Sequence, residues 1–168
     1  MVACVVALIV LLGILASAVS ADQVFCRPLV RSGRLIGFCF IVCNWPAPDE
    51  NPCYLEGCIW DLHLKVLTLD PDTPCYFEKI IRLPPNWDGV IGPPVPGPEF
   101  HAQTPPPTGA DPNPIKVGEC KVFCLRITGR CLSQDACIRV LWVTTGQKGE
   151  PRARGIVRCC WRPNTTAP

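Results

Sequence analysis

Histidine and charge are both scarce in this chain: its 168 residues include two histidines, and only 18% are Asp, Glu, Lys or Arg. A nucleophile–histidine pair would therefore have to use His63 or His101. His101 falls in a proline-rich stretch, a poor place for a positioned base. His63 falls on the polar side of a strand-like run, where it faces solvent. No Cys-x-x-Cys, no histidine cluster and no Gly-rich phosphate loop is present, which removes the common zinc and nucleotide signatures. Acidic pairs such as Asp49-Glu50 sit in turn contexts. The reading is a non-catalytic protein with no cofactor and no metal. No long stretch combines helical periodicity with caps.

What the sequence has in quantity is proline, glycine and cysteine, at 20, 13 and 13 residues. Both the proline and the cysteine shares are far above those of ordinary globular domains. Met1 to Ala21 contains no charged side chain, Val5 to Leu15 is apolar, and Ala16 to Ala21 is small and weakly polar. That pattern predicts a signal peptide over 1–21, cut after Ala21. Its apolar run is short for a membrane anchor, which needs about 20 residues. No later segment is apolar enough to span a bilayer. Removing Cys4 with the leader leaves 12 of the 13 cysteines. An even number in a secreted chain predicts a disulfide framework and an extracellular location.

Residues 84–114 hold 11 prolines in 31 residues and no cysteine. Proline fixes φ and lacks an amide donor, so this stretch reads as an extended linker of polyproline character. It separates two blocks of six cysteines: Cys26, Cys39, Cys43, Cys53, Cys58 and Cys75 in residues 22–83, and Cys120, Cys124, Cys131, Cys137, Cys159 and Cys160 in residues 115–168. Ile36-Gly37-Phe38-Cys39-Phe40-Ile41-Val42-Cys43 matches Val117-Gly118-Glu119-Cys120-Lys121-Val122-Phe123-Cys124: β-branched, Gly, any, Cys, any, β-branched, any, Cys. The match reads as a tandem duplication. The expected fold is small, disulfide-rich and mainly β, with two cysteine-rich modules joined by the linker. Three bridges within each module are the simplest closure. Bridges between modules, with Cys26 and Cys160 as the candidates, are the alternative. Adjacent Cys159 and Cys160 should go to different partners.

Each module reads as β. Trp60, Leu62, Leu64 and Val66 alternate with Asp61, His63 and Lys65, the period of a strand with one buried face. The phase then slips, with Leu67 and Leu69 apolar around Thr68, which suggests a bulge. Ile138 to Thr144 is rich in β-branched and aromatic residues. Gly155 to Trp161 reads as its return strand, with Gln147 to Glu150 as the turn; Asp70-Pro71-Asp72 plays that part in the first module. Modules of roughly 50 to 60 residues bury little apolar surface, and bridges worth about 2–4 kcal/mol each would supply the missing stability.

Charge divides unevenly. Residues 22–83 carry 6 basic and 8 acidic groups, 84–114 carry 3 acidic, and 115–168 carry 10 basic and 3 acidic, giving −2, −3 and +7 and summing to the net +2. The basic second block, with Arg152, Arg154, Arg158 and Arg162 near its end, favours acidic partners such as sulfated glycosaminoglycans or an acidic protein surface. Nucleic acid is a poor partner for a secreted chain without a recognition motif. Asn164-Thr165-Thr166 is a glycosylation sequon. Trp45, Trp60, Trp87, Trp142 and Trp161 divide between core and contact residues.

The segment Cys26-x12-Cys39-x3-Cys43 resembles the opening of the class A evasins, small secreted cysteine-rich proteins of tick saliva that bind chemokines. Asn51-Pro52-Cys53-Tyr54-Leu55-Glu56-Gly57-Cys58 and the Cys159-Cys160 pair are similar to segments of single von Willebrand factor C modules. Each resemblance covers about one block. It implies a role, that of a secreted ligand-binding module, and no particular binding residues. The leading expectation is a secreted protein that sequesters an extracellular host protein, chemokine-like or complement-like. The alternative is a serine protease inhibitor presenting Arg130 or Arg154 on a disulfide-held loop.

Overall fold

Short β-branched and aromatic runs, punctuated by proline and glycine, favour many strands over helices, and the molecule follows that rule. The computed structural model describes residues 21–45, 57–67, 75–93, 97–105, 109–129 and 136–162. Among these residues lie nine strands: β1 (Ala21–Arg31), β2 (Arg34–Trp45), β3 (Asp61–Leu67), β4 (Cys75–Arg82), β5 (Asp88–Ile91), β6 (Glu99–Gln103), β7 (Cys120–Gly129), β8 (Ala136–Thr145) and β9 (Pro151–Trp161). No helix in the described residues is long and apolar enough to cross a membrane.

The strands form two antiparallel sheets. One has the order β1-β2-β7-β4, the other β5-β6-β3-β8-β9. Period-two patterning gives each an apolar face. Phe38, Phe40, Val42, Phe123 and Leu125 point inward from the four-stranded sheet, and Leu62, Leu64, Val66, Phe100, Ala102 and Val140 from the five-stranded one, nearly all without exposure. They merge into a single core, the arrangement of a β-sandwich. The strand expected from Trp60 to Val66 corresponds to β3, and Trp60, Leu62, Leu64 and Val66 are all buried. The expected strand pair at the C-terminal end is β8 and β9, joined by a turn whose Gly146 amide bonds to the Glu150 carbonyl at 2.9 Å.

The division into two modules and a linker gives way here. Both cysteine blocks contribute to both sheets, because β2 pairs with β7 and β3 with β8. The matched segments around Cys39-x3-Cys43 and Cys120-x3-Cys124 lie side by side, in antiparallel partner strands. Cys39 faces Cys124 and Cys43 faces Cys120 in the ladder. Each of these pairs is disulfide-bonded with Cα atoms 4.1 Å apart. The stretch 84–114 is not one extended spacer either. Its proline-free pieces, Asp88–Ile91 and Glu99–Gln103, pair as β5 and β6, and prolines flank them where no ladder amide is required.

Closure within each block is likewise corrected. Cys26–Cys159, Cys39–Cys124 and Cys43–Cys120 all cross between blocks. Cys160 instead bonds within its block to Cys137, its ladder partner on β8, so Cys159 and Cys160 do part company. Cys75 is disulfide-bonded, and Cys58 is a buried free thiol rather than a bridge member. Cys53 and Cys131, residues 1–20 of the expected signal peptide, Thr68 and Leu69 of the expected bulge, and the Asp70-Pro71-Asp72 turn lie outside the described residues, and the β3–β8 ladder runs through Leu67 without a shift in register.

One edge of the sandwich is fastened twice. β1 and β9 are edge strands of opposite sheets, and Cys26–Cys159 joins them covalently. At the other end of the same pair, the fully buried Asp22 carboxylate meets Arg152, with Nε–Oδ2 at 3.2 Å and Nη2–Oδ1 at 3.3 Å. The Thr144 hydroxyl donates to Asp22 Oδ2 at 2.7 Å. Arg152 reaches inward at an irregularity in the β8–β9 ladder: Thr144 pairs with Ala153 and Thr145 with Pro151, and such a shift in register re-aims the side chain between them. Asn44, also fully buried, donates to the Gly57 and Ile115 carbonyls at 2.6 and 3.0 Å.

Candidate functional site

The outer faces of the two sheets differ. On the four-stranded sheet, the Cys39–Cys124 and Cys43–Cys120 bridges lie beside the surface ion pair of Arg126 and Glu78, at 3.0 Å. On the five-stranded sheet the outward positions form a hollow of about 660 Å³. Alternation explains its lining. β3 turns Leu62, Leu64 and Val66 inward, so Asp61, His63 and Lys65 face out. β6 turns Phe100 and Ala102 inward, so Glu99, His101 and Gln103 face out. Leu141 and Val143 add an apolar floor from β8 with the polar Thr145 beside them, and Val90 on β5 stands at one side, 67% exposed.

The ladder puts His63 directly opposite His101. Their rings stack with centroids 4.1 Å apart and planes 14° from parallel. Burial pushes the His63 imidazole below its ordinary pKa, and His101 beside it pulls the same way, both by disfavouring the charged ring. Asp61 Oδ2 stands 3.9 Å from His101 Nε2, too long for a hydrogen bond. Two buried polar atoms in the hollow lack a hydrogen-bond partner: His101 Nε2 and Thr145 Oγ1. At the rim, Lys65 donates to Glu99 at 2.7 Å, and this bond holds the Glu99 carboxyl below its usual range.

The expected anion-contact arginines separate. Arg152 is committed to Asp22 inside the fold and does not belong to a surface patch. Arg154, Arg158 and Arg162 are exposed. Arg158 lies opposite Arg139 on β8, a like-charged cross-strand pair that is unfavourable on its own. Arg154 sits within the β8–β9 ladder opposite Val143 rather than on a projecting loop, while Arg130 and the Asn164 sequon lie outside the described residues. Trp60, Trp87 and Trp142 are core, and Trp45 is 40% exposed.

The histidine pair is the feature that sequence reasoning missed. Its signal was the short alternation Glu99-Phe100-His101-Ala102-Gln103, which predicts a strand with His101 outward, but the surrounding prolines masked it.

No family model and no curated protein matches this chain. Among solved structures it is similar to a cohesin module from a family 33 glycoside hydrolase of Clostridium perfringens ATCC13124, at 8% identity and a TM-score of 0.45, over 83% of this chain and 97% of that one.

Proposed function

We propose that the protein is a secreted, non-catalytic binding protein that captures an extracellular effector protein, chemokine-like or complement-like, on the outer face of its five-stranded sheet. The observation that carries this reading is the hollow there. It combines uncovered apolar side chains, Val90, Leu141 and Val143, with unpartnered polar atoms on His101 and Thr145. Pockets that accept a partner's anchoring side chain have this mixture of apolar walls and a few oriented polar groups. Exposed Ile156, at 53%, extends the apolar surface along β9. The arginines beside it, Arg139, Arg154 and Arg158, suit an acidic rim on the partner or a sulfated glycosaminoglycan. A disulfide-bonded framework fits an oxidising, extracellular setting.

The test is a calorimetric or surface-binding screen of the secreted protein against chemokines and complement factors. At least one should bind, and Val143→Glu should abolish that binding while Arg126→Ala, on the opposite sheet, leaves it unchanged. Silence across the panel, or a partner held equally by the Val143→Glu variant, would overturn the proposal.

A further inference from the structure

The fold brings the whole histidine content of the chain, His63 and His101, to one spot. Asp61 and His63 are two apart on β3 and therefore share a face. His101 is the direct ladder partner of His63, and Asp61 lies diagonally across from it. The ligating atoms of the three residues all fall within 4.8 Å of one another. Metal–nitrogen and metal–oxygen bonds of about 2.0–2.2 Å put two donors on one ion roughly 3–4 Å apart, so modest side-chain rotation closes this cluster onto a single cation. The nitrogen best placed for that role, His101 Nε2, is buried and has no hydrogen-bond partner. Thr145, opposite Asp61 in the β3–β8 ladder, contributes the second unpartnered polar atom nearby.

We propose that Asp61, His63 and His101 bind one Zn²⁺ ion, with its remaining coordination positions open toward the hollow. The donor set is two imidazoles and one carboxylate. It suits a borderline ion and is wrong for Ca²⁺ or Mg²⁺, which demand oxygen donors. Zinc has no redox chemistry and is stable in the oxidising setting that disulfides imply, where ferrous iron is not. A three-ligand site keeps a position for water or for a group from a bound partner. The proposal stands whether or not the hollow captures a protein.

The experiment uses untagged, secreted protein, dialysed against chelator and labelled with ¹⁵N only in histidine, so that its spectrum contains two rings. Titration with ZnCl₂ at neutral pH should shift both rings together and saturate at about one equivalent. By calorimetry, His63→Ala and His101→Ala should each weaken Zn²⁺ binding at least about tenfold, given that even residues behind the ligands cost 10–100-fold. Their metal-free melting temperatures report whether they fold, and the wild-type spectrum decides if they do not. Movement of one ring or neither, or a His101→Ala variant that binds zinc like wild type, would overturn the assignment.

Discussion

Removing either of the two bridges between β2 and β7 should cost much less than its sequence separation suggests. Cys39–Cys124 spans 85 residues, and a loop of that size closed in an otherwise free chain corresponds to about 4.6 kcal/mol of lost unfolded-state entropy. Cys43–Cys120 is nested directly inside it, spanning 77. With the inner bridge intact, the outer one closes a ring of only about ten residues, five from each strand, worth about 2.7 kcal/mol. The same ring is at stake when the inner bridge is removed alone. Once both are gone, the next constraint is Cys26–Cys159, reached from Cys124 through Cys137–Cys160, and the ring lost at the second step grows to about thirty residues, or about 3.6 kcal/mol. The pair Cys39→Ala/Cys124→Ala should therefore cost about 2.7 kcal/mol, the pair Cys43→Ala/Cys120→Ala the same, and all four substitutions about 6.3 rather than 5.4. Guanidinium unfolding without reductant, followed by the fluorescence of buried Trp60, Trp87 and Trp142, measures all three. Strict additivity, or a single removal costing more than about 4 kcal/mol, would refute the nested-ring argument.

Three other outcomes are expected. Arg152→Met takes the guanidinium from the fully buried Asp22 carboxylate and should cost about 3 kcal/mol, whereas adding Asp22→Asn should recover part of that loss in a double-mutant cycle; simple addition of the two losses would count against the ion pair. Burial raises the pKa of the Cys58 thiol, only partly opposed by Arg152, so iodoacetamide at pH 8 should leave Cys58 unmodified until denaturant is added; rapid labelling of the native protein would contradict this. Arg154→Ser with Arg158→Ser should lower the salt needed to elute the protein from immobilised heparin, because exposed charges act through a screened field, and unchanged elution would remove the glycosaminoglycan contact.

Local structure was well legible in this sequence; long-range pairing was not. β3, β8 and β9 follow from alternation at Trp60 to Val66, β-branched enrichment at Ile138 to Thr144, and the turn at Gln147 to Glu150. The equal Cys-x3-Cys spacings read as a duplication, yet the same spacing is what two cystine rungs require. Cysteines four apart on each of two antiparallel strands share a face and meet in register. Similarity between segments and complementarity between them leave the same trace in one dimension. The proline count misled for a related reason: averaged over 84–114 it excludes strands, while the prolines stand outside Asp88–Ile91 and Glu99–Gln103. His101 was lost with β6, and the histidine pair with it.

Pairing β2 with β7 also sets a timetable. At about 5–20 residues per second of synthesis, Cys39 waits roughly 4–17 s for Cys124 to emerge, the 85 intervening residues being translated in between. Throughout that interval Cys39 and Cys43 are exposed to wrong oxidation, with each other or with Cys26. Nascent chains halted before β7 have no native partner for either thiol. Correct maturation therefore calls for reshuffling by a disulfide isomerase after release, and the yield of active protein should follow isomerase supply more closely than oxidant supply.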